Sequence, residues 1–246
     1  MKTLLYSLLG ISFICAYIPT KVLAQSYTVG VEEPDLIPYS QTVGKVYSGL
    51  LKDIMEEFSK SSGLKFTYKP LPIKRLYAHF YDGKLDLKLP SNAYWQSDIK
   101  KKRGLKIIYS DPVIGFVDGL FTAKNKVSVD QVKKIGVISG FTPWDYLDHI
   151  SSGKIKTIEA RNLEALLGQV SLGRVDGAYI NVAMGNHFLK SNPSLNTISF
   201  NKDLPHSKNS YHLSSIKHAN VIEQFNKFMK SNSPFMDKVR SKIILD

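Results

Sequence analysis

Residues 27–68 read YTVGVEEPDLIPYSQTVGKVYSGLLKDIMEEFSKSSGLKFTY, and their pattern changes from strand to helix and back to strand. The apolar run at 27–31 has the length of a short buried strand. Apolar side chains at 46–58 recur at helical spacing, and Gly63 predicts the end of that helix. Residues 64–68 alternate between apolar and polar, as in a second strand. A strand–helix–strand unit of this kind is typical of an α/β fold.

The same alternation continues along the rest of the chain. It predicts further helices at 73–81, 163–170, 219–230 and 234–243, and further strands at 85–89, 113–123, 134–138, 175–180 and 211–214. No low-complexity linker separates the two halves of the sequence. We therefore expect two α/β lobes connected by chain crossovers.

The first 24 residues have the layout of a secretory signal peptide. Lys2 precedes an apolar run at 4–18, and the small-residue end Val22-Leu23-Ala24 predicts cleavage before Gln25. A membrane anchor is the alternative, but the apolar run is short for a spanning helix. We expect a soluble mature chain in the periplasm.

Cysteine content and charge limit the function classes. Cys15 is the only cysteine and lies in the signal peptide, so the mature chain has neither a disulfide nor a thiol nucleophile. The net charge of +12 falls to +10 when Lys2 and Lys21 are removed. The basic residues are spread along an exported chain that lacks nucleic-acid-binding signatures. We therefore expect no nucleic-acid partner, and histidines without metal-ligand spacing predict no metal or cofactor.

Six segments resemble, in the same order, the bacterial extracellular solute-binding proteins of family 3, the polar amino-acid receptors of ABC importers. They are Val29-Gly30-Val31 with Pro38-Tyr39, Gly49-Leu50 with Asp53, Gly83-Lys84-Leu85-Asp86, Arg103 seven residues before Ser110-Asp111-Pro112, Gly136-Val137 with Ser139-Gly140-Phe141-Thr142, and Gly173-Arg174-Val175-Asp176-Gly177-Ala178. Together they span nearly the whole mature chain.

The resemblance implies a two-lobed Venus-flytrap fold, the type II periplasmic-binding-protein fold, with two crossover strands. Lobe 1 would comprise residues 25–121 and 212–246, and lobe 2 residues 122–211. A small solute, expected to carry a carboxylate, would bind in the cleft between them. The partner would be the membrane permease of an ABC importer, and the receptor would be a monomer.

Arg103 is the strongest candidate for contact with a carboxylate. A guanidinium can grip a carboxylate through two parallel hydrogen bonds, and the family's matching arginine holds the ligand carboxylate. The alternative makes Arg103 the last charge of a solvated run at 100–103.

Thr142 is the second candidate, because the sequence Thr142-Pro143-Trp144-Asp145 predicts a helix start capped by Thr142. The free amides of such a start bind anions, and the resemblance places this loop against the ligand.

Several other side chains are expected in or near the cleft. The resemblance puts polar contacts at Ser91 and Asn92, although the segment 90–102 is longer than the family pattern. Tyr39 and Trp144, like Tyr94 and Trp95, would wall the cleft or pack the core.

The family's ammonium-binding aspartate is missing. Asn181 stands at that position, and it offers a hydrogen bond but no charge. Glu33 could compensate, or the ligand could lack an α-amine. Arg75 could contact an anion or pair on the surface.

Two alternative functions remain open beside the non-enzymatic receptor for transport. One is a sensor that serves a membrane histidine kinase. The other is a catalytic, dehydratase-like member of the fold in which Glu33 or Asp111 acts as acid or base.

Overall fold

The structure, a computed structural model, describes residues 25–123 and 128–243. The predicted signal peptide therefore lies outside the described residues. The strands are β1 (Ser26–Glu32), β2 (Gln41–Val43), β3 (Val46–Ser48), β4 (Lys65–Leu71), β5 (Leu87–Ser91), β6 (Ile108–Tyr109), β7 (Ile114–Ala123), β8 (Lys134–Ile138), β9 (Lys156–Ala160), β10 (Gly177–Asn181), β11 (Ile198–Phe200) and β12 (Ser207–Ser215). The helices are α1 (Leu50–Ser62), α2 (Ile73–Tyr81), α3 (Ser97–Lys102), α4 (Leu147–Ser151), α5 (Leu163–Ser171), α6 (Val182–Ser191), α7 (Ala219–Ser231) and α8 (Ser233–Arg240).

Ten of these strands form one sheet with two parallel halves, and β2 and β3 form a separate two-stranded sheet. In the first half β4, β1 and β5 are parallel neighbours, and in the second β10, β8 and β9 are. Parallel strands joined by helices place their carboxyl ends at one edge of each half. We call the first half with its helices lobe 1 and the second half with its helices lobe 2.

Two long strands connect the lobes. β12 pairs with β7 from Ser207 to Tyr211 and with β5 of lobe 1 from His212 onward. β7 in turn pairs with β10 of lobe 2 through Asp118–Phe121. β7 and β12 run antiparallel to each other. The chain therefore crosses between the lobes twice, once along each of these two strands. The lobe boundaries expected at 121/122 and 211/212 lie in these strands and stay a prediction.

The strand and helix pattern read from the sequence is confirmed in most places, with shifts of a few residues at the ends. The start of the first helix is wrong. Val46 and Tyr47 belong to β3, which forms a hairpin with β2, and α1 begins at Leu50. Gly49 separates them with φ 110°, and a Cβ there would come within 2.7 Å of the Ser40 Cα. That turn ends the hairpin and forces the helix to start later.

The cores follow the apolar patterns of the helices. The inner face of α1 buries Leu50, Leu51, Ile54, Met55 and Phe58. The ring of Phe58 packs on Phe225 of α7 with 5.1 Å between centroids. Burial of each such side chain stabilises the fold by about 1.5–3 kcal/mol. A separate cluster in lobe 2 contains Ile135, Val137, Tyr146 and Tyr179. Within residues 25–123 and 128–243, none of the helices is long and apolar enough to cross a membrane.

Candidate functional site

The cleft between the lobes collects the carboxyl ends of parallel strands from both sides. β1 and β5 end at Glu32 and Ser91 in lobe 1, and β8 and β10 end at Ile138 and Asn181 in lobe 2. Ligands of open α/β sheets bind outside such ends. The cleft is therefore the candidate site.

An outer chamber of about 660 Å³ opens between the lobes. Its volume lies within the usual range for small-molecule pockets, about 300–1,000 Å³. Lobe 1 contributes the loop after β1 and the start of α2, and lobe 2 contributes the starts of α5 and α6. The charged side chains at its wall are Glu33, Asp35, Lys74, Arg161 and Glu164. A hollow of about 1120 Å³ lies at the outer end of β7, lined by lobe 2 alone, and is not part of the cleft.

Deeper in the cleft, Trp95 borders two small cavities of about 10 Å³ each. The first, which we call the Thr142 cavity, is also lined by Glu32, Ile73, Tyr77, Gly140, Phe141 and Thr142. The second, which we call the Asp118 cavity, is also lined by Asn92, Tyr94, Phe116, Asp118, Trp144, Tyr179, Ser207 and Asn209. A volume of this size holds about one water-sized group.

The two lobes touch each other across the cleft. The Lys74 Nζ lies 2.8 Å from a carboxylate oxygen of Glu159. The rings of Tyr94 and Trp144 lie 5.4 Å apart between centroids. Gly140 of lobe 2 has φ 93° and sits so close to lobe 1 that a Cβ would lie 2.9 Å from Ile73. These contacts define a closed arrangement.

Glu32, which lines the Thr142 cavity, interacts with the buried cation Lys88. Lys88, on β5, is fully buried, and its ammonium group donates to the Pro90 carbonyl oxygen at 2.5 Å. The same group lies 4.5 Å from the ring centroid of Tyr77 and 5.5 Å from that of Trp95. Burial lowers the pKa of Lys88 and raises the pKa of Glu32, and each charge partly offsets the shift of the other.

Asp118 is the charged residue of the second cavity. It lies in β7 between Asn181 of β10 and Ser207 of β12, which are its direct neighbours in register. It is 4 % exposed, and no described residue hydrogen-bonds its Oδ1. Burial raises the pKa of Asp118 to about 8, with smaller contributions from Asp145 and Glu32, while the Asn181 amide acts in the opposite direction.

Asp145 connects the loop after β8 to the crossover strands. The Tyr179 hydroxyl donates to its Oδ2 at 2.6 Å, and the Ser207 hydroxyl donates to its Oδ1. This arrangement corrects the prediction of a helix start capped by Thr142. Pro143 has ψ 73°, and the turn that follows has no side-chain cap. The Asp145 side chain is held by Tyr179 and Ser207, so it does not complete a capping box.

Four of the predicted site residues line the cleft. Glu33 borders the outer chamber, Thr142 its own cavity, and Asn92 and Trp144 the Asp118 cavity. The Asn92 amide also donates to Asn209 Oδ1 at 3.1 Å, which connects lobe 1 to β12.

The other four predicted site residues lie elsewhere. Arg103 pairs with Asp82 at 2.9 Å and is 41 % exposed. Asp82 caps the C-terminal end of α2, about 13 Å along the helix from the cleft end at Ile73. The Tyr39 hydroxyl donates to the Gly115 carbonyl oxygen at 3.0 Å, within the core at the crossover.

Ser91 and Asn181 are buried in supporting roles. The Ser91 hydroxyl accepts from Ser214 at 2.9 Å. Asn181 caps α6 by accepting from the Met184 amide at 3.1 Å, and it donates to the Tyr211 hydroxyl at 3.1 Å. Arg75 is exposed on α2.

Sequence reasoning missed Glu32, Lys88 and Asp118. The available signal was a charge inside an apolar strand, as in Leu87-Lys88-Leu89 and Val117-Asp118-Gly119. Among the described residues, no group of three or more His, Cys, Asp or Glu side chains is placed to hold a metal ion.

No protein-family model matches the chain, and no curated protein matches it. Solved structures do. An ancestral arginine-binding protein bound to arginine superposes with a TM-score of 0.70 at 20% identity, over 88% of this chain and 97% of that one. An arginine transport system periplasmic binding protein from Legionella pneumophila gives a TM-score of 0.70 at 18% identity, over 90% and 100%. The GluR0 ligand-binding core in complex with L-glutamate gives 0.69 at 15% identity, over 89% and 98%.

These likenesses show the fold. The chain has the α/β, two-lobed fold of periplasmic binding proteins, with β7 and β12 as the crossover strands, as the sequence predicted.

Proposed function

We propose that this protein is an exported receptor that captures a small solute between its lobes and delivers it to the membrane permease of an ABC importer. The observation that carries the proposal is the closed cleft itself. Strand ends of both lobes face each other there, over buried charges beside two crossover strands. The structural neighbours that bind arginine or belong to an arginine transport system support the same role.

In this mechanism the solute binds first to lobe 1, and the lobes then close about β7 and β12. Hinge closure around a ligand is a common switching mode. The contacts between lobes are weak on their own, because an exposed ion pair such as Lys74–Glu159 contributes only about 0–1 kcal/mol. The solute, which touches both lobes, must therefore supply most of the free energy that favours the closed form.

We further propose that the solute carries a carboxylate, as an amino acid or a related compound does. Arg103 lies on the outer surface, so another cation must receive this group. Lys88 is a buried cation whose ammonium group contacts the rings of Tyr77 and Trp95, and these two rings line the Thr142 cavity. We assign the carboxylate to the Lys88 side of the cleft.

A sensing role is the second candidate, and one comparison favours it. The GluR0 neighbour is a ligand-binding core in complex with L-glutamate, and a sensor would need a ligand-binding core of this kind. Catalysis has less support. Asp111 pairs with Lys230 of α7 at 3.2 Å, whereas Glu33 lines the outer chamber, so the two carboxylates do not share a site. We propose that the protein is not an enzyme.

Native mass spectrometry of the mature chain purified from periplasm, followed by thermal-shift screening, tests the proposal. The panel should contain amino acids and carboxylates without an amine. A solute that binds only the folded state raises the melting temperature with concentration. A dose-dependent rise with one class of solute is expected. Failure of every solute to bind or to stabilise the chain would contradict the receptor function.

A further inference from the structure

Asp118 is a buried carboxylate with an unused acceptor. It is 4 % exposed, it faces the Asp118 cavity, and no described residue donates a hydrogen bond to its Oδ1. Burial without a partner makes the charged form of a carboxyl group costly, so buried carboxylates are normally paired or hydrogen-bonded. A group from outside the chain would remove that cost, and this points to a ligand.

The walls of the cavity suit a positive charge. Five aromatic side chains surround it, contributed by Tyr94, Trp95, Phe116, Trp144 and Tyr179. The face of an aromatic ring attracts a cation within about 6 Å, and Trp does so most strongly. The rings come from both lobes, so the cage is complete only in the closed arrangement.

The acidic side chains around the cavity have few basic partners, although the whole chain carries +12. Glu32 is partly offset by Lys88. Lys100 is held by the carbonyl oxygens of Asn92 and Ala93. Among residues 25–123 and 128–243, the side chain of Asp145 receives hydrogen bonds only from the neutral hydroxyls of Tyr179 and Ser207. Within the described part of the chain, no cation forms an ion pair with Asp118 or Asp145.

The size of the Asp118 cavity limits which cationic groups it can hold. About 10 Å³ admits roughly one water-sized group. A primary ammonium head has that size, whereas a trimethylammonium head adds three methyl groups and would push the lobes apart.

We propose that the Asp118 cavity is a subsite for the protonated primary amine of the bound solute, with Asp118 as its counter-charge and the aromatic rings as its walls. The subsite rests on the proposed function. It lies directly across the β7–β10 pairing from Asn181, so Asp118 supplies the negative charge that the amide of Asn181 does not.

The test compares matched solutes on the wild-type mature chain. The probes are the common L-amino acids, 1,4-diaminobutane and carboxylates without an amine. For every amine that binds, the counterparts in which the ammonium is replaced by trimethylammonium or by hydroxyl are also titrated. We expect each replacement to weaken binding at least about tenfold, as for loss of a buried charged partner. Equal affinity for the three counterparts would overturn the subsite.

Substitution of Asp118 tests whether this residue binds the ammonium group. Asp118→Asn keeps the shape and removes the charge, and it should weaken the amine at least about tenfold while leaving the hydroxyl counterpart within about twofold. Asp237→Asn, which removes a carboxylate from the exposed end of α8, is the control and should bind like the wild type. If Asp118→Asn folds poorly, the titrations of the wild-type chain with the ammonium, trimethylammonium and hydroxyl counterparts still test the subsite.

The outcomes separate the two proposals. If acids without an amine bind, and amines bind no more tightly than their hydroxyl counterparts, the receptor function stands and the subsite is overturned. If no probe binds at all, the receptor function is contradicted, and the subsite with it.

Discussion

Lys88 and Asp118 bring opposite charges into the cleft from two different strands. Each sits in an otherwise apolar run, Lys88 in β5 and Asp118 in β7. Charged side chains are almost never fully buried without a partner. Lys88 has Glu32 and the Pro90 carbonyl oxygen, whereas Asp118 has an unpaired oxygen. The protein itself therefore supplies partners for the Lys88 ammonium group, whereas a ligand would have to supply the partner of the Asp118 carboxylate.

Arg103 and Lys88 are the two candidate residues for the solute's carboxylate, and their replacement should affect the affinity to different extents. Arg103→Ala breaks an exposed ion pair with Asp82, so we expect the affinity for the solute to change less than about twofold. Lys88→Met should weaken a carboxylate-bearing solute at least about tenfold, because it removes a buried charge partner. Calorimetric titration measures both.

The control for Lys88→Met must separate folding from binding, because the variant leaves Glu32 buried without its partner. The double variant Glu32→Gln/Lys88→Met should recover thermal stability but not affinity. Loss of affinity in Arg103→Ala, with Lys88→Met unaffected, would reverse our assignment.

Asp118 should make the stability of the closed arrangement depend on pH. Its pKa is raised to about 8, mainly by burial and then by Asp145 and Glu32, whereas the ordinary value is 3.8. Between those values the folded state holds a proton that the unfolded state has released, so stability falls as pH rises from about 4 to about 8. The melting temperature of the wild type should therefore drop relative to Asp118→Asn over this window. If the difference in melting temperature between the wild type and Asp118→Asn stays constant over this pH range, Asp118 does not titrate within it.

The turn after β8 is the element that brings lobe 2 against lobe 1. Gly140 has φ 93°, and a Cβ there would lie 2.9 Å from the Ile73 Cγ2 and 3.1 Å from the Lys74 Cγ. Gly140→Ala should therefore obstruct closure and weaken solute binding about tenfold or more, in addition to the backbone strain of about 1–2 kcal/mol.

Gly153→Ala provides a matched control for Gly140→Ala. Gly153 has φ 74° and has nothing within 4 Å of its Cβ position, so the variant carries comparable strain without contact between lobes. Titration of both variants with one solute distinguishes the effects. Similar affinities in the two variants would contradict the closure contact.

The elements differ in how well the sequence predicts them. Helices with a strong apolar stripe, such as α1, α2 and α7, are evident from spacing because the stripe must face the core. β9 and α6 escaped prediction for physical reasons. β9 is an exposed edge strand with little apolar pattern, and α6 begins directly at the end of β10, without a turn between them.

The candidate site was harder to predict than the fold. The resemblance to the family 3 receptors predicted Asn92 and Thr142 near the cleft and left Trp144 open between cleft wall and core, and all three line its cavities. Asp118 could not, because its role depends on register with Asn181 and Ser207, which are far away in sequence. Arg103 failed to reach the cleft because α3 ends at Lys102 beside Asp82, on the outer side of lobe 1.

The molecule as a whole should change shape when it binds. The closed arrangement has weak contacts of its own, so the ligand-free chain in solution should be more open. A compact chain of this length has a radius of gyration of about 17 Å. Small-angle scattering should give a larger value without solute and a decrease toward the compact value at saturation. Identical curves with and without a bound solute would contradict hinge closure.

Intrinsic tryptophan fluorescence tests the central claim most directly. The chain has two tryptophans, Trp95 and Trp144, and both line the Asp118 cavity, so their emission should respond to a solute in the cleft. The mature chain should be titrated with the solute that stabilises it most, with emission and melting temperature followed in parallel. We predict a saturable change in emission whose midpoint matches the one from thermal stabilisation. A solute that stabilises the chain at saturation but leaves the emission of both tryptophans unchanged would show that it binds outside the cleft, which contradicts the proposed site.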